Sequence, residues 1–291
     1  MEDSVSRKGM QVSAVSIVVN VLLAVFKLFA GIIAASGAMI SDAIHSASDV
    51  FSTIIVMIGL KFAGKKSDRD HPYGHERMEC TAAIVLAGVL AMTGLLLGYN
   101  AAGELLSGVA AAIPVPGVLA LVAAVVSIVV KEGLYQYTKK YAKALNSAAL
   151  MADAWHHRSD ALSSIGALIG ILTARLGFPQ GDAIASLVIC IMILKAAYDI
   201  FKDAIDKMVD KSCDEAFETE LREFIVKQDG VEGIGLLHTR LFGSRVYVDL
   251  EINIPGDRTL NEAHAIAERV HRSIEEAFPT IKHIMIHTEP C

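Results

Sequence analysis

AMISDAIHSASDVFSTIIVMIGLKF, at residues 38–62, is a mostly apolar stretch that carries histidine and aspartate residues in its first half. An α-helix needs about 20 predominantly apolar residues to cross the hydrocarbon core of a membrane. Stretches of this kind occupy residues 12–35, 38–62, 80–101, 115–137, 147–176 and 182–201. Only helices and closed barrels satisfy their backbone hydrogen bonds in lipid, and these stretches lack the strict alternation of barrel strands. The sequence therefore predicts an α-helical membrane protein with six transmembrane helices.

The composition agrees with a membrane protein and argues against several other classes. Of the 291 residues, 53% are hydrophobic, and the mean hydropathy is +0.48. The formal net charge of −6 gives no electrostatic support to nucleic-acid binding. The four cysteines lack CxxC spacing, which argues against a thiolate zinc finger and against a disulfide framework.

Lysine and arginine residues are concentrated on one side of the predicted helices. They precede the first helix and follow the second, fourth and sixth, whereas the alternate links carry almost none apart from Arg175. Cytoplasmic loops carry an excess of basic residues in membrane proteins. We therefore expect both termini in the cytoplasm of an integral membrane protein, with a bacterial plasma membrane as the expected location.

The last part of the chain reads as a water-soluble domain. Its predicted elements are helices at 214–228 and 259–278 and strands at 234–242, 245–254 and 283–287. A tight turn at Gly243 and Ser244 joins the first two strands. Hydrophobic and polar residues alternate along the second strand, which predicts one buried face and one wet face that includes Arg245 and Tyr247. The order α-β-β-α-β predicts a small two-layer α/β domain.

Two of the predicted membrane helices contain the same motif. Residues 42–49 read DAIHSASD and residues 153–160 read DAWHHRSD, so both match D-A-x-H-x-x-S-D. A histidine and an aspartate four residues apart lie on one face of a helix. Each helix therefore offers one nitrogen and one oxygen ligand. The four candidate ligands are His45, Asp49, His156 and Asp160.

Four ionisable residues at this depth predict a metal site. Each charged side chain near the membrane centre costs about 2.5–3.5 kcal/mol on the translocon scale, and a bound dication offsets much of that cost. Two nitrogen and two oxygen ligands suit tetrahedral Zn²⁺ best. Cadmium, cobalt, manganese and iron stay open, because affinity alone does not select the metal. The alternative is that the four groups pair with one another without metal.

Two further clusters are weaker candidates for metal binding. The link after the second predicted helix offers Asp68, His71 and His75 at a position where a metal would meet the inner mouth. The C-terminal domain offers a dispersed set of polar donors: Asp249, His264, His287 and Glu289, with His238 also available. Charged loops and surface histidines are common in proteins that bind no metal. The alternative for each cluster is therefore a solvated surface without a metal site.

Taken together, these features resemble the cation diffusion facilitators. The resemblance rests on six apolar stretches, on D-A-x-H-S-x-x-D at 42–49, on H-P-Y-G-H at 71–75, on H-H-R-S-D at 156–160 and on the α-β-β-α-β tail. It implies a homodimeric antiporter that exports Zn²⁺ or a related ion from the cytoplasm in exchange for protons. It also implies a metallochaperone-like cytoplasmic domain at 208–291, following a transmembrane domain at 1–207.

The resemblance also assigns roles to individual residues. His45 and Asp49 match the first transport pair, and His156 and Asp160 match the second. Histidine at the first position of each pair implies zinc and cadmium, whereas aspartate there implies a broader range towards iron or manganese. The three loop residues and the tail histidines match further metal sites of the family.

The sequence leaves three rival functions to compare with metal export by zinc/proton exchange. A metal sensor or scaffold would bind without transporting. A membrane zinc protease is disfavoured because the chain has no H-E-x-x-H motif. The third rival is export of manganese or iron by the same kind of transporter.

Overall fold

The computed structural model describes residues 2–33, 37–107, 118–175 and 181–291. The chain divides into two compact units, Met1–Ala204 and Ile205–Cys291. Long helices dominate the first unit, and each coincides with one of the predicted apolar stretches. They are α1 (Glu2–Ile33), α2 (Gly37–Ala63), α3 (Met78–Ser107), α4 (Val118–Ala144), α5 (Ala148–Arg175) and α6 (Gly181–Met208).

The helices are long enough for the predicted membrane domain. The shortest has 27 residues, which at 1.5 Å per residue gives about 40 Å. Within the described residues, the segments Arg7–Ala30 and Met78–Leu106 are long and apolar enough to cross a membrane by length and composition. Helix α1 begins about ten residues before its apolar stretch and α4 ends seven residues after its own. Polar helix-forming residues continue the backbone beyond the apolar part in both cases.

Helix packing brings the two motif-bearing helices together. Helix α2 contacts α1, α3 and α5, and α5 also contacts α3 and α4. The approach of α2 to α3 is close at Gly59, where an added Cβ would lie 2.4 Å from the Cβ of Ala82. Small residues allow such close contact between helices in a membrane domain.

The C-terminal unit has the predicted order of elements. They are α7 (Glu215–Val226), β1 (Gly233–Phe242), β2 (Arg245–Ile254), α8 (Leu260–Ala277) and β3 (Ile281–Pro290). The sheet order is β1-β2-β3. Strands β1 and β2 are antiparallel, and β3 runs parallel to β2 after the crossover through α8. Gly243 adopts a φ of 63° in the predicted turn, a left-handed conformation that glycine tolerates.

Local capping residues set the starts of both helices in this unit. The Asp214 carboxylate accepts a hydrogen bond from the backbone N–H of Phe217 at 2.8 Å. Thr259 and Glu262 form a capping box, in which the Glu262 carboxylate accepts from the backbone N–H of Thr259 at 2.9 Å. Each cap satisfies helix N–H groups that have no partner within the helix.

One face of the sheet forms the hydrophobic core with both helices. The buried side chains include Val248, Leu250 and Ile252 from β2 and Val270 and Ile274 from α8. These strand residues confirm the predicted buried face.

The prediction of a wet opposite face was wrong for Arg245 and Tyr247, which are buried. Arg245 donates to the carbonyl oxygen of Pro279 at 3.2 Å. The Tyr247 ring lies 4.8 Å from the Phe242 ring and 5.5 Å from the His283 ring.

Candidate metal centre

Three of the four predicted central ligands come together where α2 and α5 pack. Asp49 lies on α2, and His156 and Asp160 lie one helical turn apart on α5. One ligand atom from each lies within 4.8 Å of the other two. The i, i+4 spacing on α5 presents both side chains to the same point, which the sequence predicted. The side chain of the fourth predicted ligand, His45 on α2, lies outside the described residues.

Two of these three side chains are buried, and the third, Asp160, is 11% exposed. Asp49 is 2% exposed and His156 is 6% exposed. The His156 Nε2 atom lies 3.6 Å from Asp49 Oδ1, which is longer than a hydrogen bond. Nε2 also has no hydrogen-bond partner among the described residues. A buried polar atom without a partner is costly, so this nitrogen fits a role as a ligand atom.

A lysine that sequence reasoning missed also belongs to this cluster. Lys131, on α4, donates to Asp49 Oδ2 at 2.5 Å and to Asp160 Oδ2 at 2.9 Å. Its side chain is 2% exposed. A charged residue inside an apolar stretch is itself a signal of function in a membrane protein. That signal was present in the sequence, but it does not say which groups the lysine meets.

A second buried polar group lies beside the cluster on α5. Asp153 Oδ1 accepts a hydrogen bond from Thr53 Oγ1 at 3.0 Å. The His157 Nε2 atom lies 3.6 Å from Asp153 Oδ2, and neither His157 ring nitrogen has a hydrogen-bond partner among the described residues. Both side chains are fully buried. Thr53 therefore ties Asp153 to α2 next to the three ligand candidates.

The predicted loop cluster is also brought together. Asp68, His71 and His75 each place one ligand atom within 4.8 Å of the others. Asp68 accepts from the backbone N–H groups of Asp70 at 3.1 Å and His71 at 2.8 Å. Its carboxylate also accepts from Lys65 Nζ at 2.5 Å. The hydrogen bond from Lys65, together with that from the His71 backbone, holds the pKa of Asp68 well below its ordinary value.

The predicted residues of the tail come together only in part. His287 Nε2 lies 3.2 Å from Glu289 Oε2 on β3, and both side chains are exposed. Asp249 lies opposite His238 in the sheet register. His264 is exposed on α8, which covers the other face of the sheet. Within the C-terminal unit, which is described throughout, no three of these residues place their ligand atoms within 4.8 Å of one another.

A bundle of long apolar helices with carboxylate and imidazole groups buried at its centre is typical of a membrane protein that moves cations. The comparisons with known proteins agree with this class. Residues 13–209 match the family model described as the cation efflux transmembrane domain. Residues 213–291 match the model described as the cytoplasmic domain of cation efflux proteins. The chain therefore belongs to the cation diffusion facilitator family, whose members are membrane transporters of divalent metal cations and not enzymes.

Relatives along the full length have related descriptions. An uncharacterised transporter of Methanocaldococcus jannaschii is 36% identical over 94% of this chain and 95% of its own length. The manganese efflux system protein MneP of Bacillus subtilis is 30% identical over 99% of this chain and 97% of its own. A solved structure of the MamM C-terminal domain is 25% identical, covering 26% of this chain and 98% of that one, with a TM-score of 0.26.

Proposed function

We propose that this protein exports a divalent transition metal from the cytoplasm in exchange for protons, by alternating access of the central cluster to the two sides of the membrane. The observation that carries the proposal is the convergence of Asp49, His156 and Asp160 in the buried interior of the helix bundle. His45, at the matching position of the α2 motif, is the proposed fourth ligand. Membership of a cation transport family supports the same reading.

Zn²⁺ is the proposed cargo, because two imidazoles and two carboxylates suit its tetrahedral preference. Cd²⁺ and Co²⁺ are the expected alternatives of similar ligand preference. Mn²⁺ is a second candidate, because two relatives of nearly equal length, MneP and MneS of Bacillus subtilis, are described as manganese efflux system proteins. Carboxylate ligands suit Mn²⁺ as well.

Proton exchange follows from the chemistry of the ligands. A metal binds neutral imidazole and ionised carboxylate, so binding releases the protons that these groups carry. A free imidazole has a reference pKa of about 6.5, which allows it to exchange protons in the physiological range. His45 and His156 are the proposed proton carriers, and protons that return from the opposite side would expel the metal.

The peripheral clusters have supporting roles in this proposal. Asp68, His71 and His75 form a loop metal site that meets the ion before it enters the bundle. In the tail, His264 lies on α8 at one face of the sheet, and Asp249, His287 and Glu289 lie on the other face. We propose that a metal shared by these residues takes donors from a second copy of the chain. We propose a homodimer with residues 1–207 as the transport domain and 208–291 as the cytoplasmic domain, and with both termini in the cytoplasm of a plasma-membrane protein.

The test is flux measured in proteoliposomes that enclose a metal-sensitive dye or a pH-sensitive dye. Wild-type protein is expected to move Zn²⁺ inwards and protons outwards down an imposed metal gradient, and a panel with Cd²⁺, Co²⁺, Mn²⁺ and Fe²⁺ identifies the cargo. The His156→Ala variant should abolish both signals, whereas His271→Ala, at a partly exposed position on α8, should not. Metal flux without proton movement would disprove the antiport, and wild-type flux in His156→Ala would disprove the central site.

A further inference from the structure

The amino group of Lys131 binds the same carboxylates that the transported metal requires. Its Nζ atom donates to Oδ2 of Asp49 at 2.5 Å and to Oδ2 of Asp160 at 2.9 Å. The lysine reaches these partners from α4, while the carboxylates belong to α2 and α5. Lys131 and Asp49 are both 2% exposed, so neither charge has bulk water as an alternative partner.

A lysine ammonium and a divalent metal cannot share these oxygen atoms. The ammonium has hydrogen-bond donors and no acceptor, so it has nothing to offer a metal ion, and its charge repels the ion. Nζ occupies the Oδ2 atom of each carboxylate, while Oδ1 of Asp49 faces the imidazole of His156 at 3.6 Å. A dication bound by Asp49 and Asp160 would therefore lie close to the ammonium, and the repulsion between the two cations favours a site that holds one or the other.

We propose that Lys131 is a tethered cation that competes with the transported metal for Asp49 and Asp160. The proposal rests on the transport site described above and adds to it a residue that sets the affinity of that site. The apparent affinity for the metal equals the intrinsic affinity multiplied by the fraction of sites from which the ammonium has moved away. A transporter benefits from this, because an ion held by four ligands in a buried site would otherwise leave slowly.

The same contact has a second consequence after the metal has left. Two carboxylates in the interior of a membrane bundle need cations beside them, and removal of one partner from a buried ion pair is strongly destabilising. When the ammonium returns to the two carboxylates, it adds one positive charge to those that the returning protons bring while the site goes back to the loading side. Lys131 therefore has opposite effects on the two halves of the cycle, weakening metal binding and speeding the return.

This predicts a separation of affinity from turnover in Lys131→Met. Zn²⁺ and Mn²⁺ binding to purified full-length protein is measured by titration calorimetry, and turnover is measured in proteoliposomes. The variant is expected to bind the metal at least about tenfold more tightly, while its maximal transport rate falls at least about tenfold. A purely structural lysine would lose affinity and rate together.

Lys139→Met is the matched control, because it removes a lysine from the same helix. Lys139 donates to the Tyr135 hydroxyl at 2.7 Å, and its ammonium lies 4.9 Å from the centre of the Tyr135 ring. It should leave metal affinity within about twofold of wild type. Lys131→Arg keeps the tethered charge, so its metal affinity should stay within about threefold of wild type. Equal tightening in Lys131→Arg and Lys131→Met would overturn the proposal, as would unchanged or weaker binding in Lys131→Met.

A measurement that needs no altered binding site covers the case in which Lys131→Met does not fold. In wild-type protein labelled with ¹⁵N-lysine, the Nζ resonance of Lys131, assigned by its disappearance in Lys131→Arg, should shift when Zn²⁺ is added to saturation. A resonance that does not move would overturn the proposal. Asp49→Asn separates the two hypotheses through the number of Zn²⁺ ions bound per chain, because the loop cluster is unchanged in this variant. If the number stays that of wild type, the transport site itself is wrong. If one bound ion is lost while the Lys131 results fail, only the competition by Lys131 is wrong.

Discussion

The central cluster and the loop cluster have the same chemistry in different surroundings. Each gathers three ligand atoms from aspartate and histidine within 4.8 Å, and in each a lysine donates to an aspartate at 2.5 Å. Lys131 is 2% exposed, whereas Lys65 is 55% exposed. The attraction between two charges is roughly fourfold stronger at an effective dielectric constant of about 20 than in bulk water. We therefore expect the buried Lys131 to affect metal binding at its carboxylates more strongly than the exposed Lys65 affects metal binding at Asp68.

The largest expected effect is the loss of a buried carboxylate. Asp49→Asn leaves the Lys131 ammonium with one carboxylate partner and removes a charged ligand, and loss of one partner from a buried pair costs about 3–5 kcal/mol. Zn²⁺ flux in proteoliposomes should fall by about two orders of magnitude or more, because loss of a group that only supports a metal ligand already costs about 10–100-fold. Asp70→Asn, which replaces an exposed aspartate of the loop, is the control. Its Zn²⁺ flux should stay within about twofold of wild type. Comparable losses in both variants would show that the loss in Asp49→Asn is not specific to the central cluster.

A smaller effect is expected from the corresponding loop residue. In an Asp49→Asn background, which isolates the loop site, Asp68→Asn should weaken Zn²⁺ binding on the order of tenfold. Because Lys65 holds the pKa of Asp68 below its ordinary value of 3.8, the carboxylate stays ionised from pH 5 to 8. The contribution of its contacts to loop stability is present above the ordinary pKa and is lost only as the pH falls below it.

The ionisation of Asp68 is measured directly as the ¹³C chemical shift of its carboxyl carbon in metal-free protein, assigned by its disappearance in Asp68→Asn. The carboxyl should show no protonation step between pH 7.5 and pH 5. A full protonation step in this range would contradict the hydrogen-bonded geometry of the loop.

The exposed lysine is expected to matter little. Lys65→Met should tighten Zn²⁺ binding at the loop site by less than about fivefold, because exposed ion pairs contribute little. In 1 M salt the difference should vanish, since the Debye length shortens to about 3 Å. The effect of Lys131→Met should persist at that salt concentration, because both partners are buried. If the effect of Lys65→Met were as large and as resistant to salt as that of Lys131→Met, the expected difference between the exposed and the buried lysine would be wrong.

The smallest effect is expected in the tail. His287 and Glu289 form an exposed pair at 3.2 Å, and exposed substitutions commonly change stability by less than about 0.5 kcal/mol. His287→Ala should therefore alter the Zn²⁺ transport rate by less than about twofold. Glu275→Ala, on the exposed surface of α8, is the matched control. A tenfold loss specific to His287→Ala would place a transport-controlling metal in the tail.

Local sequence patterns predicted most of the architecture. The apolar stretches gave the helices α1 to α6, and the order of the C-terminal elements is as expected, because both depend on regular spacing along the chain. The same regularity placed Asp49, His156 and Asp160 on inward faces of α2 and α5. The prediction failed at Arg245 and Tyr247, which the alternating pattern places on the solvent-exposed face of β2. Side chains from β1 and β3 cover Tyr247, and Arg245 contacts the backbone just before β3.

The spacing of His and Asp in two copies of one motif was sufficient to indicate a metal site, because i, i+4 geometry is a property of each helix alone. The motif could not reveal Lys131, which is 82 residues from Asp49 and 29 from Asp160 along the chain. No periodicity connects the three residues. The packing of α4 against α5 and of α5 against α2 brings them together. The candidate ligands could therefore be predicted from local sequence, whereas the contact of Lys131 with two of them depends on how the helices pack.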